Sequence, residues 1–124
     1  MTRRPDPTLT PQELAIMKIV WRRGAATVRD VYEDLRESRH VAYTTVMTMM
    51  NILASKGHLK KQKHDRAFLY RPSQPRDAVI TSMVREFVNR VFNGSAEPLL
   101  VHLVEEHELS REDLEEIARL RRKS

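Results

Sequence analysis

The sequence predicts a mainly α-helical chain interrupted by one small β-hairpin. Charged residues make up 31% of the 124 positions and aromatics only 6%, which suits helices around a modest core better than a β-sandwich. Helix-start signals precede stretches of helical apolar spacing, and all three glycines fall where such stretches end. A single lysine-rich segment breaks this rhythm and alternates like a pair of strands.

The elements follow in order. Thr10-Pro11-Gln12-Glu13 is a capping box with proline at the first helical position, so a helix starts at Pro11. Leu14, Ile16, Met17, Ile19 and Val20 supply its apolar side, and Gly24 the left-handed residue that ends it. Thr27 with Asp30 repeats the start signal, and Val28, Val31, Tyr32 and Leu35 form the second helix's buried stripe. The third helix runs from about residue 42 to 56 and stops at Gly57. Then "HLKKQKHDRAFLYRP" offers two short runs, 59–63 and 67–71, around His64-Asp65-Arg66, with Pro72 closing the second. Pro75 opens a fourth helix. Ile80, Met83, Val84, Phe87, Val88, Val91 and Phe92 recur along it at helical spacing, a broad apolar face ended by Gly94. Ser95 is expected to cap a fifth helix carrying Leu99, Leu100, Leu103 and Val104. Ser110 with Asp113 is expected to box a sixth, carrying Leu114, Ile117 and Leu120, and the final "RRKS" is expected to fray.

Three short helices followed by a hairpin is the order of a winged helix-turn-helix, whose third helix enters the major groove of DNA with one face and packs the core with the other. The third helix here, "YTTVMTMMNIL", carries no charge. Val46, Met49, Met50 and Leu53 fall on one side as core, and Thr44, Thr45, Met47, Thr48 and Asn51 largely on the other. Threonine offers a hydroxyl to base edges and a methyl to thymine, methionine an apolar contact to the same methyl, and asparagine a bidentate pair to adenine. A solvated, threonine-rich helix face is the plain alternative. Lys56, Lys60, Lys61, Lys63, Arg66 and Arg71, opposed only by Asp65, extend from the end of this helix through the hairpin, and Arg39 precedes it. Such cations position a protein on phosphates without specifying sequence, although lysines also protect an edge hairpin from aggregation.

Residues 1–74 hold 14 Lys/Arg against 7 Asp/Glu, and residues 75–124 hold 8 against 10. The division expected is a winged-helix DNA-binding domain over 1–74 and a helical dimerisation domain over 75–124. The wide stripe of the fourth helix exceeds what two further helices can cover, which favours a second copy of the chain. No cysteine is present, which excludes disulfides and thiolate metal sites and suits a reducing cytoplasm. No apolar run suggests a membrane span, and "MTRRPDPTLTPQEL" lacks the apolar core of a signal peptide, so a cytoplasmic protein without membrane binding is expected. No Gly-rich phosphate loop, nucleophile elbow or His-Glu-x-x-His occurs, so an enzyme is not expected. His102 and His107 are five apart, off one helical face, and no metal or cofactor is called for. Two rivals remain, a non-specific architectural DNA binder and a winged-helix adaptor for protein partners.

The runs "LTPQELAIMKIVW", "TVRDVYEDL", "AYTTVMTMMNILASKGHL", "DRAFLYRP" and "LVEEHELSREDLEEI" resemble the BlaI/MecI-type penicillinase repressors over nearly the whole chain. The most specific part is "AYTTVMT…L…KG" with the downstream "YRP". The resemblance implies a dimeric winged-helix repressor bound to inverted-repeat operator DNA, with the C-terminal helices as the dimer. By motif it places Thr44, Thr45, Met47 and Thr48 at the bases, and Arg39, Tyr43, Lys60, Lys61, Lys63 and Arg66 at phosphates. In some members the position of Met47 is basic, which implies a different base preference here. The dimer would be formed by Ile80, Met83, Val84, Phe87, Val88, Val91, Leu99, Leu100, Leu103, Leu114, Ile117 and Leu120. The β-lactam-responsive members control antibiotic-resistance genes and are cleaved in these helices on a signal from a membrane-bound sensor protease. The usual scissile pair is Asn-Phe, and the matching candidate position here reads His102-Leu103, a departure that counts against cleavage there. The copper-responsive relatives carry a C-terminal cysteine cluster, which this chain lacks.

Overall fold

The computed structural model describes residues 9–123. Residues 1–8, most of the segment read against a signal peptide, and Ser124, the last of the expected frayed end, lie outside it. The element order is α1 (Pro11–Arg23), α2 (Val28–Leu35), α3 (Tyr43–Ser55), β1 (Leu59–His64), β2 (Ala67–Pro72), α4 (Arg76–Phe92), α5 (Glu97–His107) and α6 (Arg111–Lys123). The expected mainly helical chain with one hairpin is therefore observed. Two compact units divide it, one through Met83 and one from Val84, so the division falls inside α4.

Local chemistry accounts for most boundaries. The Thr10 hydroxyl accepts from the Glu13 amide at 3.1 Å, and the Glu13 carboxylate accepts from the Thr10 amide at 2.8 Å. Thr27 and Asp30 repeat this reciprocal cap on α2, and Ser110 and Asp113 on α6. Gly24 ends α1 at φ 80°, its amide donating to the Val20 carbonyl, a conformation that a Cβ would strain. One expectation needs correction. Ser95 does not cap α5: Ala96 is the N-cap residue, without a side-chain bond, while the Ser95 amide donates to the Phe92 carbonyl. The first turn tolerates this because Pro98 has no amide to satisfy there. α6 extends to Lys123.

The core of the first unit is assembled from all of its early elements. Ile16, Met17 and Val20 from α1, Val31 and Leu35 from α2, Val46, Met50 and Leu53 from α3, and Leu59 and Tyr70 from the hairpin are buried together. β1 and β2 pair antiparallel with Lys61 opposite Tyr70 and Lys63 opposite Phe68. Ala26, in the α1–α2 loop, adds a bridge to β2: its amide donates to the Tyr70 carbonyl and the Tyr70 amide donates back, at 2.9 and 2.8 Å. The turn at Asp65 has φ 55°, a left-handed conformation that aspartate tolerates.

Lys56 stands apart from the other cations near the hairpin. Its ammonium contacts both Glu13 carboxylate oxygens, at 3.1 and 3.3 Å, and joins the end of α3 to the start of α1. Burial alone would push the Glu13 carboxyl up. The Thr10 amide and the Lys56 ammonium outweigh that and hold it below its ordinary value of 4.5. A carboxylate with a depressed native pKa stabilises fully above the unfolded value and loses that contribution as pH falls through the native value. Glu13→Gln keeps the cap but removes the charge. It is expected to cost about 1–2 kcal/mol at neutral pH, with the gap to wild type in urea melts closing on acidification below about 4.5. A gap independent of pH would show that the ion pair contributes nothing.

Candidate nucleic-acid interface

α3 is shared between two environments. Val46, Met50 and Leu53 face the core and are fully buried, and Met49 is half-buried beside them. Thr44, Thr45, Met47 and Thr48 are exposed on the helix's first two turns. The helix has no side-chain cap bond at Ala42 and no acid in its first turn. Its N-terminal end is thus free of negative charge, which leaves the amide end attractive to an anion such as phosphate.

Tyr43 opens α3 and packs edge-on against Tyr32 of α2, with ring centroids 5.5 Å apart at 72°. The Arg36 guanidinium lies over that Tyr32 ring at 5.4 Å. Arg39 sits in the α2–α3 link, where its amide donates to the Leu35 carbonyl at 3.0 Å. Arg39 borders a cleft of about 560 Å3 with Leu14, Lys18, Arg22 and Glu37.

The hairpin sorts the remaining cations by face. Side chains alternate along a strand and directly paired residues share a face. Lys61 and Lys63 therefore lie on the side of Tyr70 and Phe68, while Lys60 lies on the opposite side with Arg71. Arg66 is exposed at the turn. The sequence grouped these lysines as one cluster, and the register separates them. Lys56, counted with them, is engaged by Glu13 instead.

Asn51 is engaged within the module itself. Its Oδ1 accepts from the Lys61 ammonium at 2.9 Å and from the Tyr70 hydroxyl at 3.0 Å. A bidentate pair with adenine requires that oxygen as an acceptor for the base, and both its lone pairs are already used. Lys61 further lies 4.1 Å from the centroid of the Phe68 ring and 5.9 Å from that of Tyr70. Burial raises the Tyr70 hydroxyl above its ordinary value, with a smaller contribution from Tyr43, so it stays a neutral donor. Sequence reading missed this joint because its partners are 10 and 19 residues from Asn51. The one available signal was a tyrosine opposite a lysine in the hairpin register.

Among the described residues no group of His, Cys, Asp and Glu is placed to hold a metal ion, and no helix is long and apolar enough to cross a membrane.

Comparison with known proteins agrees with this geometry. The penicillinase repressor of Bacillus licheniformis is 28% identical over 90% of this chain and 87% of its own length. The transcriptional regulator BlaI of Mycobacterium tuberculosis is 40% identical over 75% of this chain and 69% of its own. Among solved structures, the DNA-binding domain of the repressor BlaI superposes with a TM-score of 0.54 at 27% identity, over 60% of this chain and 90% of that domain. The monomeric form of Bacillus licheniformis BlaI in complex with the blaP half-operator gives a TM-score of 0.51, also at 27% identity, over 62% of this chain and 92% of that one. The family model for the penicillinase repressor matches residues 9–123, and the chain belongs to that family.

Proposed function

We propose that this chain is a transcriptional repressor that binds double-stranded operator DNA in a sequence-specific manner, as a homodimer on inverted repeats. The observation that carries the reading is the exposed, uncharged face of α3 on the same module as a cationic wing. Thr44, Thr45, Met47 and Thr48 read base edges and thymine methyls. Arg39, Tyr43, Lys60, Lys61, Lys63 and Arg66 hold phosphates. Lys60 and Lys61, on opposite faces of the wing, reach different phosphates. The half-operator complex of the Bacillus licheniformis relative supports the DNA part of this reading.

The dimer is supported by what the second unit leaves uncovered. Among the described side chains of residues 84–120, none is buried. Leu100, Ile117 and Leu120 are 52%, 54% and 62% exposed, and Val84, Phe87 and Val91 are also open. A small helical unit with no buried side chain lacks a core of its own, and the stripe from Ile80 through Val91 with Leu99, Leu103 and Leu114 supplies one when a second copy is present. Repression ends when that association weakens, because losing the second half-site forfeits its effective concentration. The candidate cleavage position His102-Leu103 lies inside α5, so a sensor protease would cut there only after local unwinding.

Selection from a random DNA pool tests the whole reading. The full chain is expected to recover an inverted repeat, and a Val91→Asp/Leu100→Asp variant only weak half-sites. Recovery of nothing above background would favour the protein adaptor, and binding without preference the architectural binder. Thr48→Ala is expected to relax preference at one position per half-site with the salt slope unchanged; an unaltered preference would remove Thr48 from the readout. Replacing Lys61 and Lys63 with Ala is expected to weaken binding to all sequences alike and to flatten the salt slope by up to about 2. Equal slopes would mean that the wing does not touch phosphate.

A further inference from the structure

Asn51 sits at the centre of a hydrogen-bonded chain that joins the outer side of α3 to the wing. Tyr70 anchors one end of that chain. Its ring is buried in the core, its backbone is bridged to Ala26, and its hydroxyl donates to Asn51 Oδ1 at 3.0 Å. Lys61 is the other end, donating to the same oxygen at 2.9 Å. The partners of this ammonium are a neutral amide and two aromatic rings, and no carboxylate among the described residues pairs with it. Its position is thereby restrained by contacts that carry no opposing charge. An ammonium has three donors, and Asn51 occupies one.

Resting on the DNA-binding reading above, we propose that Asn51 is a positioning residue for the wing and not a reader of bases: it holds the Lys61 ammonium where it meets a backbone phosphate. An unrestrained lysine gives up rotamer freedom when it pairs with a phosphate. One already held by an amide and stacked on Phe68 gives up less, so the same contact yields tighter binding. The arrangement also ties the wing's grip to the seating of α3, because one side chain of the helix positions the cation of the strand. Asn51 thus couples the element that reads sequence to the element that supplies affinity.

The test uses full-length wild type, Asn51→Ala, Lys61→Met, the double variant and Tyr70→Phe. Each is titrated over a range of salt with a duplex carrying the repeat that wild type selects, with single-base variants of that duplex, and with a scrambled duplex. Thermal melts accompany each titration. Asn51→Ala is expected to weaken binding to specific and scrambled duplex by the same several-fold factor. It should also flatten the salt slope by up to about 1 although no charge is removed. The double variant should bind no more weakly than Lys61→Met alone, which is the signature of a residue that acts through another. Tyr70→Phe, which deletes one hydroxyl and nothing exposed on α3, should weaken binding in the same direction with base preference intact. Altered preference at a single base pair with an unchanged slope in Asn51→Ala would overturn the proposal and make Asn51 a base reader. Additive losses in the double variant would overturn it too. Wild type that shows no salt-dependent DNA binding sinks the DNA-binding reading itself, an outcome visible before any variant is compared.

Discussion

Tyr70 is the point on which the geometry of the DNA-facing module depends. Its backbone pairs with Ala26 in the α1–α2 loop, its ring fills the core between α1, α2 and α3, and its hydroxyl reaches Asn51 on the outer side of α3. An isolated two-stranded hairpin is marginal in water. The wing escapes that limit because the Ala26 bridge gives β2 a partner on each side and the buried ring fastens the strand to the helices. Direction follows from position: with Tyr70 facing inward, the pleat turns Lys61 and Lys63 to the same side and Lys60 and Arg71 to the other.

The chemistry of α3 follows from a competition between folding and reading. Threonine lowers helix propensity, Ala42 provides no cap bond, and no acid supports the first turn. Each feature weakens the helix in isolation and each suits a surface that approaches phosphate. A carboxylate in the first turn would stabilise the helix by a few tenths of a kcal/mol and would repel the polyanion at close range. Packing resolves the conflict. Val46, Met50 and Leu53 are fully buried, and burying such side chains contributes about 1.5–3 kcal/mol each, more than the missing local signals cost. A helix with weak local start signals is thus held in place by its packing in the core.

Much of this was legible in the sequence because the governing interactions span three or four residues. The capping boxes at Thr10, Thr27 and Ser110 and the glycine after α1, α3 and α4 each announce a boundary within one turn of chain. The core side of α3 follows from periodicity alone. What was not legible depends on distant partners. Lys56 read as part of a cationic run, yet its carboxylate lies 43 residues away at Glu13. The sequence lets Asn51 face a base but does not show that its oxygen accepts from Lys61 and Tyr70, and it does not show that the register puts the lysines of β1 on two faces. Ser95 misled for a different reason: serine before a helix is only a preference, and Ala96 begins α5 without help.

Association of two copies would make stability and regulation the same quantity. In the proposed dimer, the apolar side chains of the second unit gain their burial only from a second copy, so folding of that unit depends on protein concentration. Each winged-helix module on its own offers one threonine face and one wing, enough for a half-site. Joining two such modules makes the second contact intramolecular and raises occupancy without adding any new contact to the DNA. In that proposed dimer, the apolar seam that completes the core would also set the tightness of repression. A signal that strained or cut the helices of the proposed seam would release DNA without touching the residues proposed to read it.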